Sequence, residues 1–162
     1  MFSRRSMIGT AGAGALGGLA LLSGWRRSEA APKQFQVGYS DAEWKRRLRP
    51  DQYQVLRRAA TERPGSSPLD KEKRPGTFVC AGCALPLFSS KTKFESGTGW
   101  PSFWKPLPDA VGTRKDHELL TERTEVHCRR CGGHLGHVFK DGPRPTGLRY
   151  CMNGVAMRFI PT

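Results

Sequence analysis

The sequence predicts an α+β fold, mainly β, in which two N-terminal helices pack on one or two small antiparallel sheets. Three observations predict it. Helical spacing and capping signals are confined to residues 40–60, and from Thr77 onward the chain breaks into short β-like runs punctuated by Gly and Pro. Two CxxC pairs, Cys80-Ala-Gly-Cys83 and Cys128-Arg-Arg-Cys131, lie far apart in the chain and would clamp distant segments together. The 162 residues are 37% hydrophobic and 25% charged, an ordinary globular balance for one domain with something attached at its front. No run within 31–162 approaches the roughly 18 unbroken apolar residues of a membrane span.

The attachment is residues 1–30. A charged start, a Gly-, Ala- and Leu-rich stretch up to Gly24, and small residues Ser28 and Ala30 describe an export signal cut after Ala30. Six glycines make the stretch a poor permanent span, although an uncleaved anchor has the same pattern. Ser3-Arg4-Arg5 followed by Met7-Ile8, with Arg26-Arg27 before the cut, resembles the twin-arginine signal. That resemblance implies export to the bacterial periplasm and no stable membrane insertion once the signal is removed.

The domain proper is 31–162. Ala31–Tyr39 forms a short lead-in arm. Ser40-Asp-Ala-Glu43 has the capping-box pattern, and Trp44 and Leu48 then share one helical face. Pro50 opens a second helix carrying Tyr53 and Leu56, and the Arg63–Pro68 loop ends it. Strands are predicted at Thr77–Cys80, Thr124–Cys128, Leu135–Lys140, Leu148–Cys151 and Val155–Ile160.

The 27 Lys+Arg against 14 Asp+Glu give a net charge of +13, and setting aside Arg4, Arg5, Arg26, Arg27 and Glu29 leaves +10 on the domain. Such a charge suits nucleic acid, an anionic partner or a solvated face. The basic residues are scattered without interleaved aromatics, so no nucleic-acid partner is expected. Five cysteines exclude a fully paired disulfide framework. Spacing makes Cys80, Cys83, Cys128 and Cys131 a closed tetrahedral site, hence a structural zinc. Two disulfides or a redox dithiol have the same spacing in an exported protein.

Cys151 lies outside both pairs, in Gly147-Leu-Arg-Tyr-Cys-Met-Asn-Gly154. A lone cysteine is often an inert buried thiol. On a strand, however, Arg149 and Asn153 at i±2 share the sulfur's face, and a guanidinium there stabilises the nucleophilic thiolate. His134-Leu-Gly-His137 supplies two proton donors or two structural histidines. At i, i+3 they do not share a face on a regular strand, which a bulge at Gly136 would relax.

Three segments then carry a family resemblance: Ser96-Gly-Thr-Gly-Trp100-Pro-Ser-Phe103, Cys131-Gly-Gly-His134-Leu-Gly-His137-Val-Phe-Lys-Asp141-Gly-Pro, and Gly147-Leu-Arg-Tyr-Cys151-Met-Asn153-Gly. With Asp41-Ala-Glu-Trp44 and both CxxC pairs, they make nearly the whole of 31–162 resemble the B-type methionine sulfoxide reductases. The resemblance implies two antiparallel sheets with N-terminal helices, a structural zinc, and reduction of methionine-R-sulfoxide in oxidised peptides and proteins. It implies an enzyme with Cys151 as nucleophile and His137, with His134 beside it, as proton donor; a monomer is expected. Arg149 and Asn153 would lower the thiol pKa and stabilise developing charge, and Trp100 would receive the sulfoxide methyl. Many members carry a recycling cysteine where this chain has Thr98, so direct reduction of a Cys151 sulfenic acid by a thioredoxin-like protein is expected, a glutaredoxin-like donor being the alternative. A zinc-ribbon binding module leaves Cys151, Arg149 and the histidines unexplained. A dithiol oxidoreductase fails if metal occupies both pairs.

Overall fold

The computed structural model describes residues 35–116 and 123–162; the export signal expected at 1–30 lies outside them. Helix α1 (Asp41–Arg47) starts where the sequence places it: Ser40 Oγ accepts the Glu43 N–H at 3.3 Å. Helix α2 (Pro50–Arg58) has Pro at its first turn. It ends before the Arg63–Pro68 loop, because Ala59 turns left-handed and donates its N–H to the last turn. The helices are tied together by Tyr53 and Arg58, which both donate to Asp41.

Nine strands follow among the described residues: β1 (Gly76–Cys80), β2 (Pro86–Ser89), β3 (Lys93–Phe94), β4 (Ser102–Phe103), β5 (Val111–Asp116), β6 (Arg123–Cys128), β7 (His134–Phe139), β8 (Arg149–Met152) and β9 (Met157–Pro161). They form two antiparallel sheets, one ordered β2-β1-β9 and the other β3-β4-β8-β7-β6-β5. The expected α+β, mainly β class with two sheets is therefore what the chain adopts. Val155–Ile160 begins not as strand but as a 3-10 turn at Gly154–Ala156.

Phe78 and Phe88 of the smaller sheet meet Phe103 of the larger one, the first pair edge-on at 4.9 Å and the second stacked at 4.3 Å. Leu87, Val126, Leu135 and Met152 are fully buried with them. At about 1.5–3 kcal/mol per buried large apolar side chain, this core holds the sheets face to face. Trp44, Tyr53, Val55 and Leu56 join it from the helices. No helix among the described residues is long and apolar enough to cross a membrane.

Candidate active site

Strand register assembles the site. Cys151 on β8 lies opposite Ser102 on β4 and opposite His137 on β7; His137 lies opposite Glu125 on β6, and Glu125 opposite Arg114 on β5. Directly paired residues of antiparallel strands share a face, so these five side chains form a row across the sheet. His134 joins that side through a bulge: Val126 pairs with Gly136 and His127 with His134, leaving Leu135 as the extra residue. The histidine rings come to 5.4 Å. Gly136 is required there, because a Cβ would collide with the Cys151 carbonyl oxygen.

The thiol and His137 line a cavity of about 130 Å³ with Trp100, Arg123, Phe139 and Asn153. Burial pushes the Cys151 thiol up; Thr98, Arg149 and Ser102 each pull it down without overcoming the desolvation. Thr98 Oγ1 is 3.8 Å from the sulfur and 2.8 Å from Ser96 Oγ, which in turn lies 2.7 Å from Ser102 Oγ. Arg149 is held by two bonds to Asp141, at 2.9 and 2.8 Å, and lies 4.5 Å over the Phe139 ring. Its side chain thus reaches the thiol from a fixed position.

Asn153 sits just past β8, buried, with both polar ends engaged: Oδ1 accepts the Glu62 N–H at 2.9 Å and Nδ2 donates to the Leu135 carbonyl at 3.1 Å. It lines the cavity beside the thiol. Of the two histidines, His137 lines the thiol cavity; His134 lines a polar cavity of about 230 Å³ behind it. Burial pushes His137 down, against a hydrogen bond to Asp116 that raises it. A larger groove of about 810 Å³ runs along Arg49, Glu62, Arg74, Val155 and Phe159, and neither thiol nor imidazole lines it.

The other four cysteines converge. Cys80 and Cys83 flank the turn between β1 and β2, and Cys128 and Cys131 flank the turn between β6 and β7, one from each sheet. The two turns repeat one hydrogen-bond pattern: the Ala84 N–H reaches the Cys80 carbonyl at 2.8 Å and the Gly132 N–H the Cys128 carbonyl at 2.9 Å. The left-handed residue is Ala84 in the first and Gly132 in the second. Cys80 and Cys131 sulfurs are 3.7 Å apart, Cys83 and Cys128 sulfurs 3.5 Å, and all four lie within 4.8 Å of one another. A tetrahedron with Zn–S bonds of about 2.3 Å has edges of about 3.8 Å, so the cluster fits zinc and none of these contacts is a disulfide.

The SelR domain family matches residues 48–161. A peptide methionine sulfoxide reductase MsrB of Leptospira interrogans is 53% identical over 126 residues, covering 77% of this chain and 96% of the relative. The MsrB of Methanosarcina barkeri is 54% identical over 127 residues, 78% of this chain and 89% of its own length. The chloroplastic peptide methionine sulfoxide reductase B1 of Arabidopsis thaliana is 47% identical over 131 residues, 80% of this chain and 64% of its own. The chain belongs to the SelR, or MsrB, family.

In this member of the SelR family, Glu62 escaped the sequence reading. Its carboxylate accepts the Gly154 and Val155 N–H groups at 2.6 and 2.9 Å, its carbonyl accepts Trp100 Nε1 at 3.2 Å, and its N–H meets Asn153. Burial raises its carboxyl pKa despite those backbone bonds. One loop residue thereby sets Trp100 and Asn153 against the cavity. Its only sequence signal is an acid beside Arg63-Pro64-Gly65, and a loop acid is ordinarily solvated. Asp116 and Arg123 were missed too, because polar strand ends read as loop.

Proposed function

We propose that this protein reduces methionine-R-sulfoxide in oxidised peptides and proteins, with Cys151 as nucleophile. The observation that carries the reading is the direct pairing of Cys151 with His137 in a small cavity walled by Trp100 and served by Arg149. MsrB relatives at about half identity support the substrate class.

The Cys151 thiolate attacks the sulfoxide sulfur while His137 protonates the oxygen, which makes that sulfur electrophilic. The oxygen ends on the cysteine sulfur as a sulfenic acid, methionine leaves reduced by two electrons, and Cys151 is oxidised by two. Arg149 and the Thr98 and Ser102 hydroxyls stabilise the thiolate, against the burial that disfavours it. Trp100, fixed by Glu62, receives the methyl group and favours one epimer. Asn153 works by holding the Glu62 loop and β7 together. Two external thiols then reduce the sulfenic acid, forming a disulfide and water; a thioredoxin-like protein is the donor we favour. Cys80, Cys83, Cys128 and Cys131 would hold a structural zinc, which would supply a cross-link between the two sheets. We further propose a monomer, exported by the signal at 1–30 to the periplasm for repair of oxidised proteins.

The test is turnover of both sulfoxide epimers in a blocked peptide with dithiothreitol. R-only activity that disappears in Cys151→Ser is expected; an inactive wild type with full zinc occupancy would overturn the reading.

A further inference from the structure

Two histidine–carboxylate–arginine sets stand on the sheet behind the thiol. His134 Nδ1 lies 2.9 Å from Glu125 Oε1, and Arg114 grips the same carboxylate through Nε and Nη2. His137 Nε2 lies 2.7 Å from Asp116 Oδ2, which also accepts Arg123 Nη2 at 2.9 Å. The sets differ in where they open. His134 is 3% exposed and faces the rear cavity, whereas His137 lines both the rear cavity and the thiol cavity.

We propose that Asp116 is the positioning residue of the proton donor: it accepts the Nε2–H of His137, fixes the ring and its tautomer, and leaves Nδ1 to present the proton to the sulfoxide oxygen. Arg123 holds the Asp116 carboxylate in place. This inference rests on the reductase reading and adds to it the group that makes His137 a competent acid.

The chemistry follows from the geometry. A carboxylate on one ring nitrogen determines which nitrogen carries the proton in the neutral ring, and it stabilises the imidazolium before the proton is given up. Among the described residues, Asp116 approaches His137 from β5, Arg123 and Glu125 from β6, His134 from β7, and Cys151 and Arg149 from β8. Arg114 and Lys115 complete the charged wall of the rear cavity, to which the end of α2 adds only Ala59. Desolvation acts against the charged ring, as do Arg123 and His134, and Asp116 is the group that opposes them. Glu125 is spent on His134 and Arg114, which hold it down at about 2 against the effect of burial. Remove the Asp116 charge and the imidazolium loses its support, while removal of the Arg123 charge relieves a repulsion. The two substitutions therefore move His137 in opposite directions, which general loosening of the sheet end would not do.

The experiment is an NMR titration of the His137 ring nitrogens in the full chain, beside turnover of the R-sulfoxide peptide, for wild type, Asp116→Asn and Arg123→Gln. We expect a neutral wild-type ring protonated at Nε2. Its titration midpoint should move to lower pH in Asp116→Asn and to higher pH in Arg123→Gln. Turnover of Asp116→Asn at neutral pH should fall about tenfold, in kcat rather than KM. A neutral ring protonated at Nδ1, an unmoved midpoint in Asp116→Asn, or shifts of the same sign in both variants would overturn the proposal. Titrations as expected in a wild type without turnover would support the Asp116–His137 pair and overturn the reductase reading alone.

Discussion

Cys151 combines two opposing influences at one sulfur. Burial disfavours the thiolate, and Arg149, Thr98 and Ser102 favour it, with burial ahead. A thiol held above its ordinary value is mostly protonated at neutral pH, so its alkylation by iodoacetamide should rise through a midpoint above the usual thiol value of about 8.5. Arg149→Met removes a favourable charge; the midpoint should move further up and kcat/KM should fall about tenfold or more, read by mass mapping of the alkylated peptide and by kinetics. A midpoint that moves down would contradict the role given to Arg149. Thr98 makes a second residue-level prediction. Its hydroxyl is 3.8 Å from the sulfur, so Thr98→Cys should trap the oxidised enzyme as a disulfide between the introduced thiol and Cys151, where wild type yields a sulfenic acid. A wild-type disulfide between Cys151 and a zinc-site cysteine would refute direct recycling.

Among the elements, β7 carries the most information per residue. Its bulge brings His134 and His137 to one side, and Gly136 lets β8 approach closely enough to pair His137 with Cys151. Gly136→Ala should cost about 3 kcal/mol, seen as a lowered denaturation midpoint, because the new methyl meets β8 backbone rather than a mobile side chain. A midpoint close to wild type would mean that β8 can shift without loss. The paired cysteine turns act at the same scale. Each ends one strand and starts the next, and Arg57 and Arg130 brace them by donating to the carbonyls of Cys131 and Cys83 at 3.0 and 3.2 Å. The helices and five strands were legible because their apolar residues recur at helical or alternating spacing. Strands β2 to β5 were not: β3 and β4 have two residues each, and Val111–Asp116 is mostly polar. Pairing with neighbours, not local preference, makes these strands.

For the whole molecule, the cysteine cluster joins a turn of one sheet to a turn of the other, beside the aromatic core that packs the two sheets together. Structural zinc sites contribute about 10 kcal/mol or more to folding, comparable to the 5–15 kcal/mol stability of an entire domain. We expect one zinc per chain, and Cys128→Ser or prolonged chelation should abolish cooperative unfolding. A chelated protein that unfolds as wild type would show that the aromatic core of Phe78, Phe88 and Phe103 suffices.

The sequence by itself determined the two CxxC pairs, the lone thiol, the paired histidines and the family, because each is written in contiguous residues at a fixed spacing. The tertiary structure alone decided that Arg149 is clamped by Asp141, that Asn153 and Trp100 hang on Glu62, and that Asp116 and Arg123 stand behind His137. Those partners are set by strand register, one bulge and a loop folded back from α2. Such long-range pairings are selected by burial and hydrogen bonding over the whole sheet, and no local spacing records them.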